Sequence, residues 1–290
     1  VSLTDDVRAA SREIAACARH VRIDLDRLSE LDPGEPPVLD AERHYLEGTP
    51  EQVAHFMLVL DSINFGSGWF PTLRKRPGMS GYFTVASSLT DFWRTGGGWS
   101  PDELRALTGA DLASVLGQEA GHELMGLYAE ALRDLGRFLG ARRALDVVEE
   151  AGGSAERLAA MLAAGMPFYD DVGFWKRAQI VPNDLALAGV ASFDDLDRLT
   201  IFADNLVPHV LRVDGVLRYE PELAARIDAG ELLPPGEEER EIRASAVHAC
   251  ELLSARLGVP ARSIDVALWS KGQAPSYKAV PRHRTRTVFY

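Results

Sequence analysis

The sequence predicts a mainly α-helical protein with at most a few short strands. Two observations carry that reading. Apolar residues recur at spacings of three and four through much of the chain, for instance in ELMGLYAEALRDLGRFL and EEEREIRASAVHACELLSARLG. Side chains at that period share one face of a helix. Helix starts are also written in their capping residues: Thr49-Pro50 with Gln52, and Ser100-Pro101 with Glu103, each pair a capping box with proline at the first helical position. At 290 residues, 46% hydrophobic and 26% charged, the composition is that of an ordinary globular chain able to bury a sizeable core. We read residues 1–290 as one helical domain that allows two intimate lobes meeting at the stretch 168–219.

In chain order, Thr4 followed by DDVRAASREIAACARHVRI reads as a capped helix. LDPGEPPVLD (31–40) is too rich in proline to be anything but a loop. The segment PEQVAHFMLVLDSI presents Val53, Met57, Leu60 and Ile63 on one core-facing side. It leads into NFGSGWFPTLRKRPGMSGYFTVASSLTDFW (64–93), a long glycine- and aromatic-rich stretch read as a loop with a short strand at Gly81–Val85. Residues 99–165 are helical scaffold. His122-Glu123 is a fragment of a metal motif without its second histidine, so no metal site is expected there.

The richest chemistry lies between Phe168 and Tyr219. It holds Asp170, Asp171, Asp184, Asp194, Asp195, Asp197, Asp204 and Asp214, beside Lys176 and Arg177. Ala191–Val213 reads as one helix with Ser192 as its cap, and Asp197, Thr200 and Asp204 on a shared face. Asp195 is half a turn out of phase with Asp204, so the two meet only if that helix begins after Asp195 or bends. RVDGVLRYEPELAARIDAGELLP adds a turn and a helix that would close a helix–hairpin–helix, and ARSIDVALWSKGQ is a shorter helix bearing Asp265 and Trp269. From Lys271 to Tyr290 the chain carries Lys271, Lys278, Arg282, Arg284 and Arg286 and no acid. Arginine's forked guanidinium suits a phosphate, and Tyr277, His283 and Tyr290 add rings to the same segment.

The net charge of −12 argues against a chain that coats a nucleic-acid backbone, because that affinity comes from Lys and Arg. Cys17 and Cys250 are the only cysteines, too few for a disulfide framework or a thiolate metal site. With no apolar run of membrane-spanning length and no signal-peptide pattern, a cytoplasmic location is the expectation.

Five blocks in order, NFGSGW (64–69), FWKRAQI (174–180), LTIFADN (199–205), EIRASAVHACELL (241–253) and PRHRTRTVFY (281–290), together resemble the queuosine salvage proteins, the queuosine 5'-phosphate N-glycosylases/hydrolases. The resemblance runs from about His44 to the C-terminus. It implies an all-α fold similar to the helix–hairpin–helix DNA glycosylases. It also implies hydrolysis of the N-glycosidic bond of queuosine 5'-monophosphate to free queuine for reuse in transfer RNA, with no cofactor, no metal, no membrane and no nucleic-acid polymer. By motif, Asp204 and Asp195 are the catalytic and base-reading carboxylates, the two roles left open between them, with Asp197 a rival on helical geometry. The substrate-binding set is His44, Asn64, Phe65, Lys176, Phe202, Asp265, Trp269, His283, Arg284 and Tyr290. Two positions depart from the family pattern: NFGSGW has a glycine where a second aromatic is expected, and Asn205 stands where tyrosine is common.

The chemistry agrees. Cleaving an N-glycosidic bond develops positive charge on the sugar, which a carboxylate stabilises or attacks, while a second group orients water or protonates the base. The competing classes are a non-catalytic helical nucleotide-binding protein, a glycosylase acting on a polymer, and a metal phosphohydrolase.

Overall fold

The computed structural model describes residues 2–290, and the capping signals act where the sequence writes them. The Thr49 hydroxyl accepts the Gln52 N–H at 3.3 Å while the Gln52 side chain accepts the Thr49 N–H at 2.9 Å. Ser100 and Glu103 repeat the exchange at 3.3 and 2.7 Å. Such caps satisfy N–H groups that the first turn of a helix leaves without partners.

The described residues form α1 (Leu3–Cys17), α2 (Leu25–Glu30), α3 (Pro50–Ser62), α4 (Gly81–Gly96), α5 (Pro101–Ala106), α6 (Gly109–Leu116), α7 (Glu123–Leu139) and α8 (Ala144–Glu150). They continue with α9 (Ala155–Gly165), α10 (Lys176–Leu187), α11 (Leu206–Val213), α12 (Pro221–Asp228), α13 (Glu237–Leu257), α14 (Ala261–Lys271) and α15 (Pro275–Lys278). The strands β1 (Val21–Ile23) and β2 (Leu217–Tyr219) pair antiparallel, Val21 opposite Tyr219 and Ile23 opposite Leu217. The fold is mainly helical, as expected. No helix of the described residues is long and apolar enough to cross a membrane.

By contact density the chain divides into two compact units. The first comprises Val1–Pro37, Val172–Lys176 and Asp197–Thr287. Its axis is α13, against which α1, α2, α11, α14 and β1 pack. Ala244, Ala246, Ala249 and Cys250 are small and wholly buried, which lets neighbouring backbones approach, while Ile242, Val247 and Leu253 fill the space between them. The second unit comprises Val38–Asp171, Arg177–Leu196 and Val288–Tyr290. Its centre is α3, contacted by α4, α7 and α8. From Phe56 to Ser62 every residue of that helix is buried, so it is a core helix on all sides rather than an amphipathic one.

Two local expectations are corrected. Gly81–Val85 is not a strand but the start of α4, capped by the Ser80 hydroxyl, which accepts the Phe83 N–H at 3.1 Å. Its β-branched and aromatic residues pack as a helix because Gly81, Thr84 and Val85 face the core. Nor is Ala191–Val213 one helix. It contains a single 3-10 turn at Leu196–Arg198, then non-helical chain to Asp204, and only Leu206–Val213 is α-helical.

Candidate functional site

In the first unit the segment 199–205 is a buried, non-helical run held by side chains from other elements. Leu199, Ile201, Phe202 and Ala203 are buried. Asp265, on α14 and itself buried, accepts the Phe202 N–H at 2.8 Å. Arg243, buried on α13, donates from Nε to the Ala203 carbonyl at 2.9 Å and lies over the Phe174 ring at 4.0 Å. Asn205 donates from Nδ2 to the His283 carbonyl at 3.1 Å. These bonds satisfy backbone groups that a helix or sheet would otherwise pair, and they fix the segment that presents Asp204.

Asp204 is half-buried. Its Oδ1 accepts the N–H groups of Leu206 at 2.7 Å and Val207 at 3.1 Å, the first residues of α11. These two bonds anchor the carboxylate at the start of α11. Its Oδ2 has no hydrogen-bond partner among the described residues.

Residues 271–287 of the basic tail belong to the same unit. Lys271 is ion-paired with Asp214 at 2.8 Å, and Asp214 also takes the Tyr277 hydroxyl at 2.7 Å. Arg284 donates to the Gly230 carbonyl at 2.7 Å. His283 is 1% exposed and neither ring nitrogen finds a partner among the described residues. Burial, with the cations of Arg282, Arg243 and Arg212 nearby, pulls it down to about 3, so it is a neutral imidazole. Lys176 and Phe202 are buried, and Trp269 packs partly buried against the apolar core of this unit. Trp175, which leads into Lys176, has φ 45°, the only non-glycine residue of positive φ among those described. A strained turn at a motif of ring and cation is a recurrent mark of functional segments.

In the second unit His44 is buried, with Nδ1 at 2.9 Å from the Asp40 carbonyl and Nε2 at 3.1 Å from the Tyr82 hydroxyl. Burial holds its pKa below the ordinary histidine value. A carbonyl can only accept, so Nδ1 carries the proton and the Tyr82 O–H donates to Nε2. Burial and the charges of Asp184 and Asp61 keep the Tyr82 phenol protonated. Asn64 is half-buried. Phe65 is a core ring, 1% exposed, edge-on to Tyr128 and Phe168, with the Arg177 guanidinium 4.7 Å from its centroid. Arg177 donates to the carbonyls of Ser62 at 2.7 Å, Val288 at 2.6 Å, and Phe168. The Gly66 N–H donates to the Tyr290 main-chain oxygen at 3.0 Å, so the NFGSGW segment and the chain's last residues are tied together.

Asp195 lies in this second unit and does a different job from Asp204. It accepts the Ser154 hydroxyl at 2.7 Å and the N–H groups of Ala155 at 2.5 Å and Glu156 at 3.3 Å, clasping the N-terminus of α9. The single helix that was to carry Asp197, Thr200 and Asp204 on one face, with Asp195 half a turn away, does not exist. Asp197 pairs on the surface with Arg262 at 2.7 Å. His122 caps α7 by accepting the Leu124 N–H, and Glu123 accepts the Trp69 indole N–H at 2.7 Å, so both halves of the metal-motif fragment have structural partners. Among the described residues, His20, Glu237 and Glu241 are close enough to share an ion. There, Glu241 is bonded to the N–H groups of Arg19 and His20, and Glu237 to the Arg19 guanidinium.

Comparison with known proteins decides the affiliation. Residues 44–290 match the family model described as queuosine salvage protein. The chain belongs to the queuosine salvage protein family. A relative from Sphaerobacter thermophilus, named queuosine 5'-phosphate N-glycosylase/hydrolase, is 34% identical over 315 aligned residues, spanning 98% of this chain and 97% of its own length. A protein of the same name from Nematostella vectensis is 29% identical over 297, covering 87% and 85%. One from Dictyostelium discoideum is 42% identical over a shorter 129, covering 41% and 40%.

The family's matched span contains every candidate residue, and it also contains Arg243, which sequence reasoning did not single out, and Arg282, which it named only as one of five tail cations. Arg243 was legible in principle, as a cation inside the buried run EIRASAVHACELL. A charge on a helix buried all round needs partners, and here they include Glu239 one turn earlier at 3.4 Å and the Ala203 carbonyl.

Proposed function

We propose that this chain hydrolyses the N-glycosidic bond of queuosine 5'-phosphate, releasing queuine and ribose 5-phosphate, with Asp204 as the carboxylate at the anomeric carbon. The reaction class follows from family membership. The residue assignment rests on one observation: Asp204 has one oxygen locked to the first turn of α11 and the other without a partner among the described residues. A carboxylate so held needs no reorganisation as positive charge develops on the sugar. The bond between the anomeric carbon and the base nitrogen breaks, and its electron pair leaves with the base, which takes up a proton. Water, or Asp204 followed by water, supplies the oxygen that becomes the anomeric hydroxyl.

Asp195, by contrast, is read as the cap of α9. The proposed substrate-binding set is the one the family blocks imply: His44, Asn64, Phe65, Lys176, Phe202, Asp265, Trp269, His283, Arg284 and Tyr290. Within it Asp265 acts by holding the Asp204 segment, and Phe65 by packing against Arg177. The reaction so written requires neither metal nor organic cofactor. A free nucleotide rather than a polymer suits a chain of net charge −12. Two cysteines left as free thiols fit a cytoplasmic location.

The test is incubation of the purified protein with queuosine 5'-monophosphate in chelator, following products by chromatography. Free queuine and ribose 5-phosphate in equal amounts, many per enzyme, are expected. A nucleotide that raises the melting temperature without turning over would overturn the catalytic reading in favour of a binding protein.

A further inference from the structure

The tail segment around His283 is pinned on both sides. Asn205 donates to the His283 carbonyl, the Leu233 N–H donates to the Arg284 carbonyl at 2.9 Å, and Leu232 and Arg284 form a β-bridge. Burial then alternates with a period of two, as in extended chain: His283 and Thr285 are buried, while Arg282 and Arg284 are partly exposed on the other side. The two arginines differ in what they touch. Arg284 is engaged by the Gly230 carbonyl. Arg282 makes no hydrogen bond and no ion pair among the described residues, although it is half-buried. Every other arginine in that condition, Arg12, Arg22, Arg157 and Arg240, is exposed to solvent.

Burial lowers the pKa of Arg282, and the charge of Asp204 is the one that opposes that effect. The guanidinium therefore lies within electrostatic range of the carboxylate without closing on it. Opposite charges in a partly desolvated setting attract strongly. Asp204 is held by the first turn of α11, the backbone next to Arg282 is pinned at His283 and Arg284, and the two side chains form no ion pair. A ligand that is positive at one end and negative at the other would bridge them. A 5'-phosphorylated sugar is such a ligand when its anomeric carbon carries developing positive charge.

We infer that Arg282 is the principal cation for the 5'-phosphate of the substrate, ahead of Arg284, and so the residue that makes the enzyme prefer the nucleotide over the nucleoside. This rests on the reading of the substrate as a nucleoside 5'-phosphate. The experiment compares kcat/KM for queuosine 5'-monophosphate and for queuosine in wild type, Arg282→Met, Arg282→Lys and Arg284→Met, with melting temperature as the check on folding. In Arg282→Met the phosphate-to-nucleoside preference falls on the order of 100-fold, consistent with loss of a charged hydrogen-bonding partner, and inhibition by ribose 5-phosphate weakens in parallel. Arg282→Lys keeps most of the preference, and Arg284→Met loses less than tenfold. A preference in Arg282→Met within threefold of wild type overturns the inference, as does a larger loss in Arg284→Met. Should Arg282→Met not fold, Arg282→Lys against Arg282→Gln reads the same contrast. If the wild type releases base from neither compound, the parent reading has failed and takes this one with it. If it does release base but without regard to the phosphate, only this inference falls.

Discussion

Both Asp195 and Asp204 cap helices, and the account separates them by what their removal costs. Asp195→Asn keeps the shape of the side chain but removes its charge. The three bonds it makes, to Ser154, Ala155 and Glu156, have lengths of 2.7, 2.5 and 3.3 Å, so two are strong. Replacing a charged acceptor by a neutral one costs roughly 1 kcal/mol for each strong bond, and losing the anion at the N-terminus of α9 costs about 0.5 kcal/mol more. The sum is about 2–3 kcal/mol, which for a chain of this size lowers the melting temperature by roughly 4–10 °C. Turnover measured well below the transition stays within about threefold of wild type, because the bonds of Asp195 go to α9 and none go to residues 199–205. The assay is thermal unfolding followed by circular dichroism, paired with initial rates of queuine release. A melting temperature within 1 °C of wild type, with turnover down by about 100-fold or more, would refute the reasoning and return Asp195 to the catalytic role.

Other outcomes follow from the same geometry. His283 sits at about 3 when folded against an ordinary 6.5, so the unfolded state binds the extra proton between those values. Stability from this group is therefore complete above pH 6.5 and falls as pH drops toward 3, by up to about 1.4 kcal/mol per unit. The unfolding free energy from urea titration should fall by about 2–3 kcal/mol more between pH 7 and 4.5 in wild type than in His283→Gln, and parallel curves would contradict the burial of a neutral ring. Gly66 has φ +106°, and an added Cβ would lie 2.7 Å from Leu124 Cδ1. Gly66→Ala should thus destabilise by about 2 kcal/mol or more, measured as a shift in urea midpoint. Arg177→Met removes three bonds to carbonyls of Ser62, Phe168 and Val288, and a loss of about 3–5 kcal/mol is expected by the same assay.

Much of the fold was legible because it is written locally. The Thr49 and Ser100 capping boxes and the long helix at Glu237–Leu257 depend only on neighbours in sequence. The segment before Asp204 was misread because Leu196, Leu199 and Ala203 have helical spacing, while what decides their conformation is distant. Asp265 and Arg243 take the backbone groups of Phe202 and Ala203 that a helix would have used, and Asp195 is drawn off to α9. Gly81–Val85 was misread for the opposite reason: a local preference for strand gave way to the Ser80 cap and to burial of the residues behind it. The strands β1 and β2 have three residues each, too few for alternation to register, and their pairing links residue 21 to residue 219. Of the site, the motif residues were legible through the family blocks. Arg243 was not, and Arg282 was legible only as one of five tail cations, since what each touches depends on which groups the fold brings near.

The most direct test of the central claim is a single-turnover measurement of queuine release from queuosine 5'-monophosphate by wild type and Asp204→Asn. The amide can still accept from Leu206 and Val207, so the variant should melt within a few degrees of wild type, about 1 kcal/mol at most, and release base at least about 1000-fold more slowly. A folded Asp204→Asn that releases queuine at near the wild-type rate would contradict the account.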